Sequence, residues 1–221
     1  MPASNMSEAD LRRRLAIYYV ADPEQSDRDI LAIVDEAITG GATSVQLRTK
    51  HTDGRDMFNL AVAMVRRCQE KRVLFFVNDR VDIGIACGAD GVHIGAKDLP
   101  LPATRALIGD GMIVGYSPVD ASDAASAGAR GADYVGLGPV FGTRSKDDAQ
   151  PELGLLRLSQ QVAAAGIPSV GIGGITIANA GSVIRAGVDG VAVISAIQGA
   201  ENPRRATESL ALTVNLALVE R

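Results

Sequence analysis

The sequence predicts an α/β fold, a single-domain TIM (β/α)8 barrel, on three observations. Eight units, each a short apolar strand followed by a helix, share 221 residues, which gives roughly 28 residues per unit, near the ~30 of a βαβ repeat. The strands are rich in Val and Ile rather than alternating with polar residues, as is typical of parallel strands buried on both faces. A Gly, a small residue and the start of a strand recur together, for example at 88–90 and 131–133.

Apolar runs and helical spacing place the elements in order. The predicted strands are 15–20, 44–48, 73–77, 90–94, 112–115, 133–137, 169–172 and 191–194. The predicted helices are 29–39, 56–69, 81–87, 102–108, 121–129, 155–165, 177–186 and 204–219. In the first helix Ile30, Ile33 and Ala37 share one face, and Gly40 ends it.

The pattern also divides the chain. Residues 1–14 are polar and charged, and we expect an N-terminal arm that is frayed or folded as a short lid helix. Residues 15–221 form the predicted barrel domain. A doubly wound open sheet is the alternative, but the dinucleotide fingerprint of that fold is missing after the first strand.

Composition narrows the classes of function. A formal net charge of −4 and an aromatic content of 4%, without tryptophan, argue against a general nucleic-acid binder. The sequence shows neither an apolar run long enough for a membrane span nor a secretory signal. Cys68 and Cys87, the two cysteines, are too few for a disulfide framework. We therefore expect a cytoplasmic protein with no nucleic-acid or membrane partner.

Two turns near the C-terminus suit a phosphate group. The apolar segments 168–175 and 189–197 contain the turns Gly173-Gly174 and Ile194-Ser195, each just before a helix. In (β/α)8 barrels, the loops after strands seven and eight commonly bind phosphate. Glycine lets backbone N–H groups approach an anion closely, and the following helix presents its positive end.

The end of the second predicted strand carries cations. Alternation along the strand sends Gln46, Arg48 and Lys50 to one side. Two cations and an amide that converge at a strand end suit a polyanionic ligand. Solvated loop charges are the alternative, but Gln46 lies within the strand, where an unpaired amide is costly, which favours the ligand.

Two carboxylates follow neighbouring strands. Asp79 comes after strand three and Asp98 after strand four, so the pair could meet at the barrel mouth. Magnesium is commonly bound by one or two carboxylates together with substrate phosphate oxygens. The simpler interpretation of Asp79 is a helix N-cap.

Other polar groups follow strands five and six. Ser117 offers a hydroxyl, for which an N-cap or a turn is as good an explanation as substrate contact. The long loop from residue 138 to 153 contains Thr143, Ser145 and Lys146, which could donate to an anion. His93 ends strand four and is expected to be a packed, hydrogen-bonded residue rather than a catalyst.

Taken in order, these motifs resemble thiamine-phosphate synthase from about residue 18 to 203. The series runs through Gln46-Leu47-Arg48-Thr49-Lys50, Asn78-Asp79-Arg80, Gly91-Val92-His93-Ile94-Gly95 with Asp98, Gly115-Tyr116-Ser117, Gly138-Pro139-Val140-Phe141 with Thr143 and Lys146, Ile172-Gly173-Gly174-Ile175 and Ser195-Ala196-Ile197. The resemblance implies a transferase that joins a hydroxymethylpyrimidine diphosphate to a thiazole phosphate with Mg²⁺, releasing diphosphate.

The resemblance also implies roles for individual residues. Gln46, Arg48, Lys50, Asn78, Ser117 and Lys146 would bind the pyrimidine diphosphate, and Asp79 and Asp98 would hold Mg²⁺. Thr143, Arg144, Ser145, Gly173, Gly174, Ile194 and Ser195 would hold the thiazole phosphate. Arg48, Lys50, Ser117 and Lys146 are the residues expected to assist catalysis. The resemblance is compatible with a homodimer.

Two other functions are compatible with the same motifs. The related thiazole tautomerases share the barrel but rely on a His after strand five, where this chain has Val119. The other alternative is a barrel that binds thiamine precursors, or regulates their use, without turnover. Ala96 stands where the synthase pattern often has Gln, and Val119 stands where it usually has His; these two departures motivate this second alternative.

Overall fold

The computed structural model describes residues 6–143 and 151–221. It contains eight parallel strands, which hydrogen-bond in sequence order, and β1 also pairs with β8 to close the barrel. The strands are β1 (Ile17–Ala21), β2 (Ser44–Leu47), β3 (Leu74–Asn78), β4 (Gly91–Gly95), β5 (Ile113–Ser117), β6 (Tyr134–Leu137), β7 (Ser169–Ile172) and β8 (Gly190–Val193). The predicted fold class is therefore confirmed.

The helices form the outer layer. They are α1 (Glu8–Arg14), α2 (Ile30–Thr39), α3 (Gly54–Lys71), α4 (Val81–Cys87), α5 (Leu101–Ile108), α6 (Ala121–Ala127), α7 (Gly154–Ala165), α8 (Ile177–Arg185), α9 (Ser195–Gln198) and α10 (Pro203–Val219). The last helix, α10, packs against both α8 and α2 and so closes the ring. Within the described ranges, no helix is both long and apolar enough to cross a membrane.

Strand alternation separates two apolar clusters. One lies between the strands and the helices and contains outward residues such as Val45, Val77 and Val92. The other fills the barrel interior and contains Tyr18, Phe76 and Tyr134 among its members. Inward side chains at the carboxyl ends of the strands therefore point toward the barrel mouth.

Helix α1 packs at the amino-terminal end of the barrel. Its Leu11 and the following Leu15 are buried with the interior cluster. Arg12 Nη1 donates to Asp189 Oδ2 at 2.6 Å, and Arg14 Nη1 donates to the Arg72 carbonyl at 3.0 Å. These contacts tie residues 11–15 to the barrel, whereas the domain boundary at residue 15 stays a prediction.

Candidate active site

A cavity of about 340 Å³ lies at the carboxyl ends of the strands. Lys50, Asp79, Asp98 and Ser195 all line it, although they follow four different strands. This end of a (β/α)8 barrel is where active sites are found. In a ring of eight strands, β3 and β7 are four places apart, so Asp79 and Gly173 stand on opposite sides of the mouth.

Most of the predicted site residues share this cavity. Its lining includes Arg48, Lys50, Asn78, Asp79, Asp98, Ser117, Thr143, Gly173, Gly174, Ile194 and Ser195. Gln46 lies deeper, is 5% exposed and lines a smaller void beneath the cavity. Arg144, Ser145 and Lys146 lie outside the described residues.

A buried ion pair holds Arg48 at the edge of the cavity. Its guanidinium donates to the carboxylate of Asp22, and both side chains are almost fully buried. Gln198 supports Asp22 from a third element: its Oε1 accepts from the Asp22 N–H at 3.1 Å, and its Nε2 donates to the Asp22 carbonyl at 2.6 Å. The guanidinium is therefore fixed before any ligand binds.

The loop that carries Lys50 is organised by Glu24. Its Oε1 accepts from the backbone N–H groups of Lys50 at 3.0 Å, His51 at 2.7 Å and Thr52 at 3.0 Å. Burial opposes ionisation of Glu24, but the bonds from His51, Lys50 and Thr52 outweigh it and lower the pKa of the carboxyl group. One carboxylate thus fixes the backbone of three consecutive residues.

Backbone geometry directs Asp79 into the cavity. Its φ is 61°, in the left-handed region, which Asp tolerates better than most residues. Its N–H donates to the His93 carbonyl at 2.9 Å, and its Oδ2 lies 2.5 Å from Lys50 Nζ.

Asp98 is the carboxylate neighbour of Asp79. Its Oδ2 accepts from the Gly95 N–H at 2.7 Å. Partial burial, and then the nearby Asp79 with its hydrogen bond and its charge, raise the pKa of Asp98. Among the described residues, no group of three or more acidic, histidine or cysteine side chains is arranged to hold a metal. A cation here would thus rely on these two carboxylates and on ligand oxygens.

The turn after β7 requires glycine at two consecutive positions. Gly173 and Gly174 have φ values of 96° and 63°. A Cβ on Gly174 would lie 2.6 Å from the Gly142 carbonyl oxygen and 2.7 Å from Phe141 Cβ. The positive φ and the close packing both favour glycine, so the turn keeps its backbone open toward the cavity.

His93 belongs to the site more closely than its sequence position suggests. It lines the cavity, and its Nε2 lies 2.8 Å from Ser117 Oγ. His93 is hydrogen-bonded, as expected. Because every second residue of a strand lies on the same face, His93 shares the inward face of β4 with Gly91 and Gly95. Its hydrogen-bond partners lie on other strands, so the sequence could not predict them.

Comparison with known proteins identifies the family. The sequence profile for thiamine monophosphate synthase matches residues 17–197. The chain belongs to this family. Among thiamine monophosphate synthase relatives, the thiamine-phosphate synthase of Laribacter hongkongensis is 45% identical over 197 residues, 88% of this chain and 93% of the relative. That of Methanoculleus marisnigri is 49% identical over 174 residues, 79% of this chain and 82% of the relative.

A solved structure gives the same family. Thiamine phosphate pyrophosphorylase from Pyrococcus furiosus is 39% identical, has a TM-score of 0.87, and the match covers 94% of this chain and 99% of that chain. The predicted thiamine-phosphate synthase resemblance and the prediction of a transferase are thus confirmed. More distant barrels, such as 3-hexulose-6-phosphate synthase at 19% identity and a TM-score of 0.64, share the fold alone.

Proposed function

We propose that this protein is a thiamine-phosphate synthase. It joins 4-amino-5-hydroxymethyl-2-methylpyrimidine diphosphate to 4-methyl-5-(2-phosphooxyethyl)thiazole and yields thiamine phosphate and diphosphate. The observation that carries the proposal is that one cavity has Arg48, Lys50 and two carboxylates on one side and the Gly173-Gly174 turn on the other. Two anionic groups bound at these places would lie across the cavity from each other, with the reacting atoms between them.

The reaction proceeds by a dissociative substitution. The bond between the pyrimidine methylene carbon and the diphosphate oxygen breaks, and its electron pair leaves with diphosphate. The lone pair of the thiazole nitrogen then forms the new bond to the methylene carbon. The electron-rich aminopyrimidine carries the transient positive charge, so no protein nucleophile is required.

The chain's own contribution is electrostatic. Negative charge builds up on the departing diphosphate, and Arg48 and Lys50 would stabilise it from fixed positions. Ser117 would donate a hydrogen bond to the same group. Lys146, which follows β6 in the sequence, would add a third cation.

Asp79 and Asp98 suit Mg²⁺. Both provide hard carboxylate oxygens on the same cavity, where partial burial, and then the hydrogen bond and the repulsive charge of Asp79, raise the pKa of Asp98. A divalent cation relieves this repulsion, and magnesium commonly uses one or two carboxylates with phosphate oxygens. When bound, the ion would neutralise charge on the leaving diphosphate.

The thiazole phosphate would occupy the opposite side. Gly174 and Ser195, with Ile194 and Thr143, line that part of the cavity and follow β6, β7 and β8. Phosphate binding at this place is common in (β/α)8 barrels. Val119, which also lines the cavity, has no proton to transfer, so a tautomerase is the weaker proposal.

The proposal is tested by mixing the purified protein with both substrates and Mg²⁺. We expect thiamine phosphate and diphosphate to appear in equal amounts, and neither to appear when one substrate is omitted. Absence of product, under conditions in which the Pyrococcus furiosus protein forms it, would refute the proposal. Isomerisation of a thiazole phosphate without condensation would indicate the tautomerase instead.

A further inference from the structure

Beneath the cavity, a chain of hydrogen bonds crosses the barrel interior. Gln46 Nε2 donates to Tyr18 Oη at 3.0 Å, and Tyr18 Oη lies 2.7 Å from Tyr134 Oη. Tyr134 Oη lies 2.9 Å from His93 Nδ1, and His93 Nε2 lies 2.8 Å from Ser117 Oγ. Five side chains from five strands thus connect a buried amide to a hydroxyl on the cavity surface.

The two phenols at the centre keep their protons. Tyr18 is 1% exposed and Tyr134 is fully buried. Burial raises the pKa of both hydroxyls well above the ordinary value of tyrosine. Each phenol therefore has one hydrogen to donate and an oxygen that accepts.

The amide of Gln46 sets the direction of the chain. Because the amide nitrogen can only donate, the Tyr18 hydroxyl accepts from it and donates its own hydrogen bond to Tyr134. Tyr134 then donates to Nδ1 of His93, so a neutral His93 carries its hydrogen on Nε2. That Nε2–H donates to Ser117 Oγ, and the hydroxyl hydrogen of Ser117 is left to point into the cavity.

With Nε2 of Gln46 facing Tyr18, the reverse direction leaves a hydrogen unused. If Ser117 donated to His93 and His93 to Tyr134, Tyr18 would accept from both Tyr134 and Gln46. Its own hydrogen would then have no acceptor among the bonds that the described residues make at this buried position. An unpaired buried hydroxyl is unfavourable, so the arrangement with Gln46 as donor is preferred.

Two glycines make room for the chain. A Cβ on Gly115 would lie 2.4 Å from both His93 Nδ1 and Tyr134 Oη. A Cβ on Gly136 would lie 3.0 Å from His93 Cε1. Any side chain at Gly115 would disrupt the hydrogen bond between Tyr134 and His93. The two glycines therefore leave the space that the imidazole needs in its present orientation.

We propose that His93 is a positioning residue. Tyr134 holds His93 in the Nε2–H tautomer, and the Nε2–H group of His93 orients the hydroxyl hydrogen of Ser117 toward a diphosphate ligand. Diphosphate as the ligand rests on the proposed function. The direction of the chain does not, because it follows from the orientation of the Gln46 amide, whose Nε2 faces Tyr18.

The tautomer is measured directly by ¹⁵N NMR of the full chain labelled at histidine. The protein has two histidines, and His51→Gln assigns the spectrum. At pH 9, above the usual titration range of imidazole, we expect the His93 hydrogen on Nε2 and Nδ1 shifted as a hydrogen-bond acceptor. A hydrogen on Nδ1 in the parent protein would overturn the proposal.

Three tyrosine variants test the control of this tautomer. Tyr134→Phe removes the bond to Nδ1, and Tyr18→Phe removes the hydroxyl one step further away. We expect both to change the Nδ1 resonance and to admit the other tautomer. Tyr116→Phe loses a hydroxyl that donates to Asp123 at 2.9 Å, outside the chain, and should leave the His93 spectrum unchanged. An unchanged spectrum in Tyr18→Phe would show that the chain does not transmit its direction.

The effect on the ligand is tested by calorimetry with inorganic diphosphate and Mg²⁺. We expect Ser117→Ala to weaken binding about tenfold, as for one hydrogen bond to a charged group, and Tyr134→Phe to weaken it about three- to tenfold. Because the two substitutions act through the hydroxyl of Ser117, Tyr134→Phe should have no further effect on diphosphate binding in the Ser117→Ala background.

Additive losses of diphosphate affinity in the double variant would contradict the proposal. If the NMR and diphosphate results hold but no thiamine phosphate forms, the proposed function alone fails.

Discussion

Lys50 Nζ lies 2.5 Å from Asp79 Oδ2, so a cation and an anion of the proposed catalytic site are already paired. Their side chains are 45% and 22% exposed, and an ion pair this accessible contributes little to stability. The pair is thus better explained by ligand binding than by folding.

Asp79→Asn separates these two roles. The variant should lower kcat/KM about 100-fold, because it removes one of the two carboxylates proposed to bind Mg²⁺. Asn tolerates the left-handed backbone at this position, whereas Ala does not, so the fold should be retained. The measurement is Mg²⁺-dependent turnover together with the melting temperature. Asp82→Asn, which breaks an exposed pair with Arg80, is the control and should keep its activity. Full activity in Asp79→Asn would refute the metal assignment.

Asp22→Asn should destabilise the protein. It leaves the buried Arg48 guanidinium without its carboxylate, and breaking a buried pair costs about 3–5 kcal/mol. Urea denaturation should show a loss of this size. The matched control is Glu208→Gln, which removes an exposed partner of Arg204 and should change the free energy of unfolding by less than about 0.5 kcal/mol. Equal effects in the two variants would show that the Arg48 pair is not buried in solution.

Glu24 gives a prediction about pH. Because the folded-state pKa of Glu24 is lowered, its stabilisation is present above the pKa of the unfolded chain and is lost as pH falls through the lowered value. The difference in unfolding free energy between the parent and Glu24→Gln should therefore be present at pH 7 and should shrink as the pH falls below the ordinary pKa of glutamate. Unfolding curves at several pH values measure it. A difference that grows on acidification would contradict the assignment.

Gly174→Ala tests the proposed thiazole phosphate site. The added methyl group meets Gly142 and Phe141 and needs a positive φ, so the KM for the thiazole phosphate should rise at least about tenfold. The KM for the pyrimidine diphosphate should change less than about twofold. Steady-state kinetics with each substrate varied in turn measures both.

The control for this variant is Gly166→Ala. Gly166 has the same φ of 63°, but a Cβ added there would meet no atom within 4 Å, and Gly166 is not a lining residue of the cavity. Gly166→Ala has the same cost of a positive φ but lies away from the cavity, so its KM values should match those of the parent protein. A similar rise in both variants would mean that backbone strain, not phosphate binding, explains the effect.

Much of the barrel was predictable because its signals are local. Val- and Ile-rich strands and glycines at helix ends need no knowledge of the fold, and alternation placed Gln46, Arg48 and Lys50 on one side of the second strand. Helix α1 was not foreseen as part of the barrel, since Arg12 and Leu11 gain their partners through distant residues such as Asp189. Helix α9 is four residues long, too short for a periodic signal.

The hydrogen-bond chain was also beyond the sequence. Tyr18 and Tyr134 are 116 positions apart, and they meet only because β1 and β6 enclose the same interior. A tyrosine in an apolar strand is equally compatible with plain packing. The position of Gln46 below the cavity was not predictable either. Alternation along the strand gives the direction of its side chain but not its distance below the barrel mouth.

One cavity is thus proposed to hold two anionic groups on opposite sides. A crystal structure with thiamine phosphate, diphosphate and Mg²⁺ tests it most directly. We predict diphosphate at Arg48 and Lys50, the ion at Asp79 and Asp98, and the phosphate of thiamine phosphate at Gly174 and Ser195. Either anion bound outside this cavity, or both on the same side of it, would contradict the account.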